Sequence, residues 1–299
     1  MYTWQHALWQ QLQDSFQQKR FHHAQLFIGL PGVGKFDLVK VLASTLLCER
    51  PEGFRACNAC KACGLLAAET HPDKLLISAE SNSIGVDAIR ALSDFIHHSA
   101  LQGGNKVVLI KDAEKMTHSA ANALLKTLEE PNLNRYILLT CNDKSQLPAT
   151  VLSRCGQQSV AVSEVSCAQN WLSEQHIPLH EFVWVEQFYL QPLKLVQWHE
   201  DGMLDKIQAL YLFASHLKES HNFAEVQGIL TEHTQLNSVF YVFINQQLKY
   251  RLQQGLGFSA YNDAQKALHR FMLDTQQILG LNQSLGLAKL IYTLQNAIK

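Results

Sequence analysis

Apolar residues recur every fourth position at Trp4, Leu8, Leu12 and Phe16 among Gln, Asp and Lys, which predicts an amphipathic helix over residues 4–19. Downstream the pattern changes to short, nearly continuous apolar runs at residues 26–28, 74–78, 106–110 and 136–140. Runs of this kind suit strands buried on both faces of a parallel sheet. Helix-like stretches fall between them at residues 37–47, 86–98 and 120–130, the second with Ile89, Leu92, Phe95 and Ile96 on one face and the third stopping just before Pro131. Strands alternating with helices imply a doubly wound α/β domain whose ligand lies at the carboxyl ends of the strands. Past about Ser163 the strand-like runs nearly vanish. Residues 170–175 and 193–199 suggest a small helical unit. Residues 205–219, 223–231, 238–253, 261–279 and 285–298 read as longer helices, broken near Gly255-Leu256-Gly257 and at Gly280. The expected division is therefore residues 1–162, 163–202 and 203–299.

The first predicted strand runs into Gly29-Leu30-Pro31-Gly32-Val33-Gly34-Lys35-Phe36, and a helix follows. This is the setting of a phosphate-binding loop. Gly29, Gly32 and Gly34 would let backbone N–H groups close around phosphate oxygens, and Lys35 would reach the β- and γ-phosphates. The pattern next requires Ser or Thr, whose hydroxyl ligates Mg²⁺, and the chain has Phe36 there. After the third strand, where the metal-side carboxylate is expected, stands Lys111, followed by Asp112-Ala113-Glu114. An ammonium repels Mg²⁺, so the two departures agree. The loop is expected to hold nucleotide at most, and not to hydrolyse it. A glycine-rich turn without ligand fits the loop alone equally well.

Net charge of -1 argues against a chain that grips nucleic acid by itself, because that needs a surface of Lys and Arg. A protein partner or a shared nucleic-acid site is the expectation. No apolar run approaches the length of a bilayer span, and residues 1–6 lack the basic-then-apolar layout of a secretory signal, so a cytoplasmic location without membrane partners is expected. Seven cysteines include Cys48, Cys57, Cys60 and Cys63 in a C-x₈-C-x₂-C-x₂-C arrangement. In a reducing compartment such a cluster suggests metal before disulfide. Four thiolates can enclose one tetrahedral Zn²⁺, with Pro51-Glu52-Gly53 turning the first sulfur back toward the others. The role would be structural, since four protein ligands leave no open position. Unliganded, partly buried thiols are the alternative.

The phosphate loop, the four cysteines, Ala121-Asn122-Ala123-Leu124-Leu125-Lys126-Thr127-Leu128-Glu129-Glu130-Pro131 and Leu152-Ser153-Arg154-Cys155 together resemble the clamp-loader branch of AAA+ proteins. The resemblance covers about the first 160 residues. It implies a RecA-like AAA+ parallel-sheet domain with a zinc module at about residues 48–63, a small helical lid and an all-α C-terminal collar. It also implies a five-subunit ring with gamma/tau motor subunits and a delta subunit, which uses ATP to place a sliding clamp on primed DNA. Arg154, in the Ser-Arg-Cys motif, would reach the ATP of a neighbouring subunit as an arginine finger, and Asn142 falls at the sensor position. Phe36 and Lys111 match the pattern of the family's non-motor stator, which is not itself a competent ATPase. The retained Gly34-Lys35 points the other way, toward an active AAA+ ATPase motor. A third reading is a zinc-stabilised nucleotide-binding adaptor outside replication.

Overall fold

The structure is a computed structural model that describes residues 1–79, 82–130, 133–217, 223–277 and 283–298. Pro131, the expected stop of the third helix, and Gly280, an expected break, lie outside the described residues, as do residues 218–219 and 278–279 of two predicted helices. Packing divides the chain into two compact units, residues 1–177 with 187–196 and residues 178–186 with 197–299.

In the first unit a single 3-10 turn, Thr3–Gln5, precedes α1 (His6–Gln17), β1 (Ala24–Ile28), α2 (Lys35–Leu47) and α3 (Lys61–Ala67). Then follow β2 (Lys74–Ile77), α4 (Val86–His97), β3 (Lys106–Ile110), α5 (His118–Glu129), β4 (Arg135–Cys141), α6 (Ala149–Leu152), β5 (Gly156–Ser159) and α7 (Val165–Ser173). The five strands form one parallel sheet in the order β2-β3-β4-β1-β5. All five residues of β3 are buried, as a continuous apolar run in a sheet covered on both faces requires.

Side chains alternate across the pleat and build two cores. Phe27, Val107, Leu109 and Leu138 face a layer with Leu12 of α1 and Leu38 and Leu42 of α2. Leu26, Val108, Ile110, Ile137 and Leu139 face a layer with Ile89 and Leu92 of α4, Leu124 of α5 and Val151 of α6. Sandwiched in this way, β1 lies between β4 and β5, and its carboxyl end opens into the phosphate loop. The edge strand β5, Gly-Gln-Gln-Ser, holds no apolar residue, and its register is set by pairing with Gln25–Ile28 of β1.

The second unit is helical. It takes the end of α8 (Pro192–Glu200), whose first five residues belong to the first unit, and all of α9 (Leu204–Ser215), α10 (Phe223–Glu232), α11 (Asn237–Gln253), α12 (Phe258–Gln277) and α13 (Gln283–Ile298). Trp184 is fully buried and meets Trp198 and Phe243 edge-on at ring separations of 6.0 and 6.3 Å. Ile207 and Leu210 of α9, Phe240 and Ile244 of α11, Leu268 of α12 and Leu294 of α13 are buried in this unit.

Candidate functional site

The loop after β1 is pinned at its start by the amide of Gly29, which donates to the carbonyl of Cys141 at 3.2 Å. A Cβ on Gly29 would collide with the carbonyl of Val160, so the approach of the two strand ends requires glycine there. Gly34 caps α2 in the left-handed region at φ 78°, and a Cβ there would strike the ring of Tyr2. Lys35 is buried, and its ammonium donates to the carbonyls of Gly29 and Leu30 and to Oδ1 of Asn142, each at 2.8 Å. Nδ2 and the backbone amide of Asn142 in turn donate to Oε1 of Glu114, at 2.6 and 3.0 Å. Burial lowers the Lys35 ammonium below its ordinary range, against the opposing pull of Glu114 and Asp112. All three donors of this ammonium are thus spent on the protein itself.

The first turn of the chain lies on this loop. Nε1 of Trp4 donates to the carbonyl of Val33 at 3.0 Å, and Nε2 of Gln5 donates to the carbonyls of Val33 and Gly34 at 3.1 and 2.8 Å. Tyr2 donates its hydroxyl to Asp37 at 3.0 Å, stacks on Trp4 at 5.0 Å and meets Trp171 edge-on at 5.5 Å. Burial, reinforced by the Asp37 carboxylate, pushes the Tyr2 phenol up to about 12. The amide of Leu193 donates to the carbonyl of Gly32 at 3.0 Å and closes the loop from another side. Helical periodicity places residues 4–19 in one amphipathic helix; residues 3–5 instead form a 3-10 turn, with the side-chain donors of Trp4 and Gln5 committed to loop carbonyls and the hydroxyl of Tyr2 to Asp37. The alternation of aromatic Tyr2 and Trp4 with polar Thr3 and Gln5 is the available signal.

Phe36 and Lys111, the two departures from a metal-binding loop, touch each other. The Lys111 ammonium lies 5.3 Å from the centre of the Phe36 ring and that of Lys40 lies 4.9 Å away. An aromatic face with two ammonium groups occupies the positions of a hydroxyl and a carboxylate. Such a face attracts cationic side chains and offers Mg²⁺ no ligand.

Cys48, Cys57, Cys60 and Cys63 converge, their sulfurs all within 4.8 Å of one another. Cys48 Sγ is 3.5 Å from that of Cys57 and 3.9 Å from that of Cys60. Tetrahedral coordination at ~2.3 Å from Zn²⁺ to sulfur sets neighbouring sulfurs ~3.8 Å apart, so the cluster has the dimensions of a filled site. Cys60 caps α3 and accepts the amide of Cys63 at 3.5 Å, while the amide of Cys57 donates to Cys48 at 3.3 Å. The Cys63 amide draws the Cys60 thiol down to about 6, whereas burial raises the Cys48 thiol and pushes that of Cys63 up to about 12. Thiols so close cannot all ionise without a cation, and a dication among them would ionise every one. The donor set fits a metal ion.

Arg154 lies just beyond α6, after the C-cap Ser153. Its Nε and Nη2 both reach Oε1 of Glu129, at 2.8 and 2.6 Å, and Nη1 donates to the Thr150 carbonyl at 2.9 Å. Its side chain keeps 34% of its surface in solvent. The structure therefore brings Gly29, Gly32, Gly34, Lys35 and Asn142 together as one site and the four cysteines as another, with Arg154 apart at the end of α6 and bonded to neither.

Compared with known proteins, residues 4–163 match the family described as DNA polymerase III, delta subunit. The chain is 44% identical over 175 residues to the DNA polymerase III subunit delta' of Pseudomonas aeruginosa, which covers 58% of this chain and 52% of that one. With the delta' subunit of Escherichia coli (strain K12) the identity is 40% over 176 residues, 58% of this chain and 53% of that one. The chain spans about half the length of these curated relatives. Among solved structures, a DNA polymerase III gamma subunit-related protein from Thermotoga maritima superposes with a TM-score of 0.51 over 97% of this chain and 99% of that one, at 18% identity, a likeness of fold.

Proposed function

We propose, from the premise that the chain belongs to the delta-prime family of DNA polymerase III subunits, that it is the non-motor stator of a clamp loader and supplies Arg154 in trans to ATP held by a neighbouring motor subunit. The observation that carries this reading is the contact of Phe36 with Lys111: the two positions needed for Mg²⁺ are engaged with each other. Lys35 satisfied by the loop and by Asn142 supports it further. The motor alternative has the retained Gly34-Lys35 in its favour and this ligand-poor geometry against it.

Arg154 suits the finger. A guanidinium is permanently charged and offers a rigid fork of donors, and the single Glu129 carboxylate orients it while part of it stays exposed. A γ-phosphate carries more charge than that one carboxylate and competes for the same fork. The partners are gamma/tau motor subunits and a delta subunit in a five-subunit ring, with the sliding clamp and primed DNA reached through the complex, in the cytoplasm. The chain acts within the DNA polymerase III holoenzyme without being an ATPase or polymerase of its own. Residues 1–162 serve as the AAA+ module, 163–202 as the lid and 203–299 as the collar. Cys48, Cys57, Cys60 and Cys63 hold a structural Zn²⁺ that fixes the segment between α2 and α3.

Reconstitution tests the assignment. Arg154→Ala should lower clamp-stimulated ATPase of the assembled loader, with assembly by size-exclusion chromatography intact. Arginine fingers elsewhere contribute on the order of 10³–10⁵ in rate, diluted here to one site among several. An unchanged rate in a verified complex removes the finger.

A further inference from the structure

A groove of about 540 Å³ lies between α1, α2 and the cysteine module of the first unit, lined by His6 and Trp9 of α1, Lys40, Val41 and Ser44 of α2, and Arg55 and Asn58 of the module. Among the described residues no carboxylate lines it. The side chains of His6, Lys40 and Arg55 are exposed, and among the described residues neither Lys40, Arg55 nor Lys111 takes part in an ion pair. Asp37 accepts from Tyr2 and Asp112 pairs with Lys115, while Glu52, whose amide donates to the Arg55 carbonyl at 2.9 Å, does not line the groove. Lys40 joins the groove to the closed loop, because its ammonium rests on Phe36, on which Lys111 also rests. Lys111, Lys40 and Arg55 thus form one row of cationic side chains, linked through the Phe36 ring and the groove that His6 also lines, in a protein whose net charge is -1.

We infer that this row binds the phosphodiester backbone of single-stranded nucleic acid, outside the closed nucleotide loop. Three cationic positions in succession fit a linear polyanion better than one compact anion. Lysine and arginine neutralise successive phosphates and release condensed counterions, with Ser44 and Asn58 as further donors. The substitutions that remove Mg²⁺ ligation also build the row: Lys111 adds a charge, and Phe36 holds two ammonium groups against one ring. The choice of nucleic acid over an acidic protein segment rests on the clamp-loader reading of the function. The short row and the near-neutral chain imply weak, salt-sensitive binding, used when the chain is already beside DNA.

The test is fluorescence anisotropy of a short labelled oligo(dT) with the full chain alone, without nucleotide, over a salt series. Binding should weaken with salt. Lys40→Gln, Arg55→Gln and Lys111→Gln should each lower the slope of log K against log salt by about 0.7 for every phosphate that the variant no longer neutralises. All three sites are on the surface, and the thermal midpoint of each variant verifies folding. Equal affinity and slope in all three variants overturns the proposal. Displacement of oligo(dT) by poly-glutamate at the same charge concentration reassigns the groove to an acidic protein segment, and equal displacement by pyrophosphate reassigns it to a small anion; either result overturns it. The Arg154 test uses the assembled ring and ATP, so each reading can fail without the other.

Discussion

Phe36 has two lysines within cation–π range where a phosphate loop ordinarily offers a hydroxyl to Mg²⁺, and the chemistry of the site turns on that residue. Replacing it shows which departure excludes the metal. Phe36→Ser restores an oxygen ligand but leaves Lys111, whose ammonium still repels a dication. The variant should forgo both cation–π interactions, worth ~0.5–1 kcal/mol each at partly exposed sites, and its thermal midpoint should fall. Calorimetric titration with ATP should be the same with and without Mg²⁺. A gain of Mg²⁺-dependent binding by this substitution alone would mean that Lys111 does not guard the metal position. Both departures are readable one residue at a time, since each breaks a spacing rule. Their contact is not, because 74 intervening positions separate residues 36 and 111 and only the parallel sheet brings the end of β3 near the loop that follows β1.

The elements differ in how plainly the sequence announces them, and burial accounts for the difference. β1, β3 and β4 are apolar because both of their faces are covered, and each is visible as a run, as is the edge strand β2 although its Leu76 is exposed; β3 begins and ends at the predicted residues. β5 is a polar edge strand and α3 is seven residues long, so neither carries a periodic signal, and both depend on tertiary partners. The start of α1 differs from its prediction because Thr3–Gln5 answers to loop carbonyls and not to helical periodicity. The cysteine module is legible from spacing alone, since two-residue gaps bring successive sulfurs to one point. Its geometry carries a further prediction. The purified chain should contain a tightly held zinc ion by atomic emission, and chelation should lower the thermal midpoint, because metal binding is coupled to closure of the loop between Cys48 and Cys60. Affinity should fall with falling pH, since the raised thiols of Cys48 and Cys63 must lose protons to ligate. Cys60→Ser should lose the ion. A metal-free wild-type chain of undiminished stability would leave the cluster as buried thiols.

At the scale of the molecule, the family match covers residues 4–163, the segment that holds every motif in the sequence. The helical remainder is legible only as helices, because bundle packing leaves amphipathic periodicity and no chemistry-bearing spacing. The function of the whole therefore rests on whether the first unit is a motor. Its loop is held from several sides at once: the Lys35 ammonium is fully engaged, Gln5 covers the carbonyls of Val33 and Gly34, and Leu193 bonds Gly32. For ATP to enter, Lys35 must exchange three short bonds for phosphate oxygens, and no metal ligand at position 36 or 111 stabilises the leaving phosphates once it has done so. The isolated chain should accordingly show no ATP hydrolysis with or without Mg²⁺, and Lys35→Ala should leave that baseline unmoved. Steady Mg²⁺-dependent turnover abolished by Lys35→Ala would instead mean that the closed loop opens and recruits metal through water, and the chain would then be a motor subunit and not a stator.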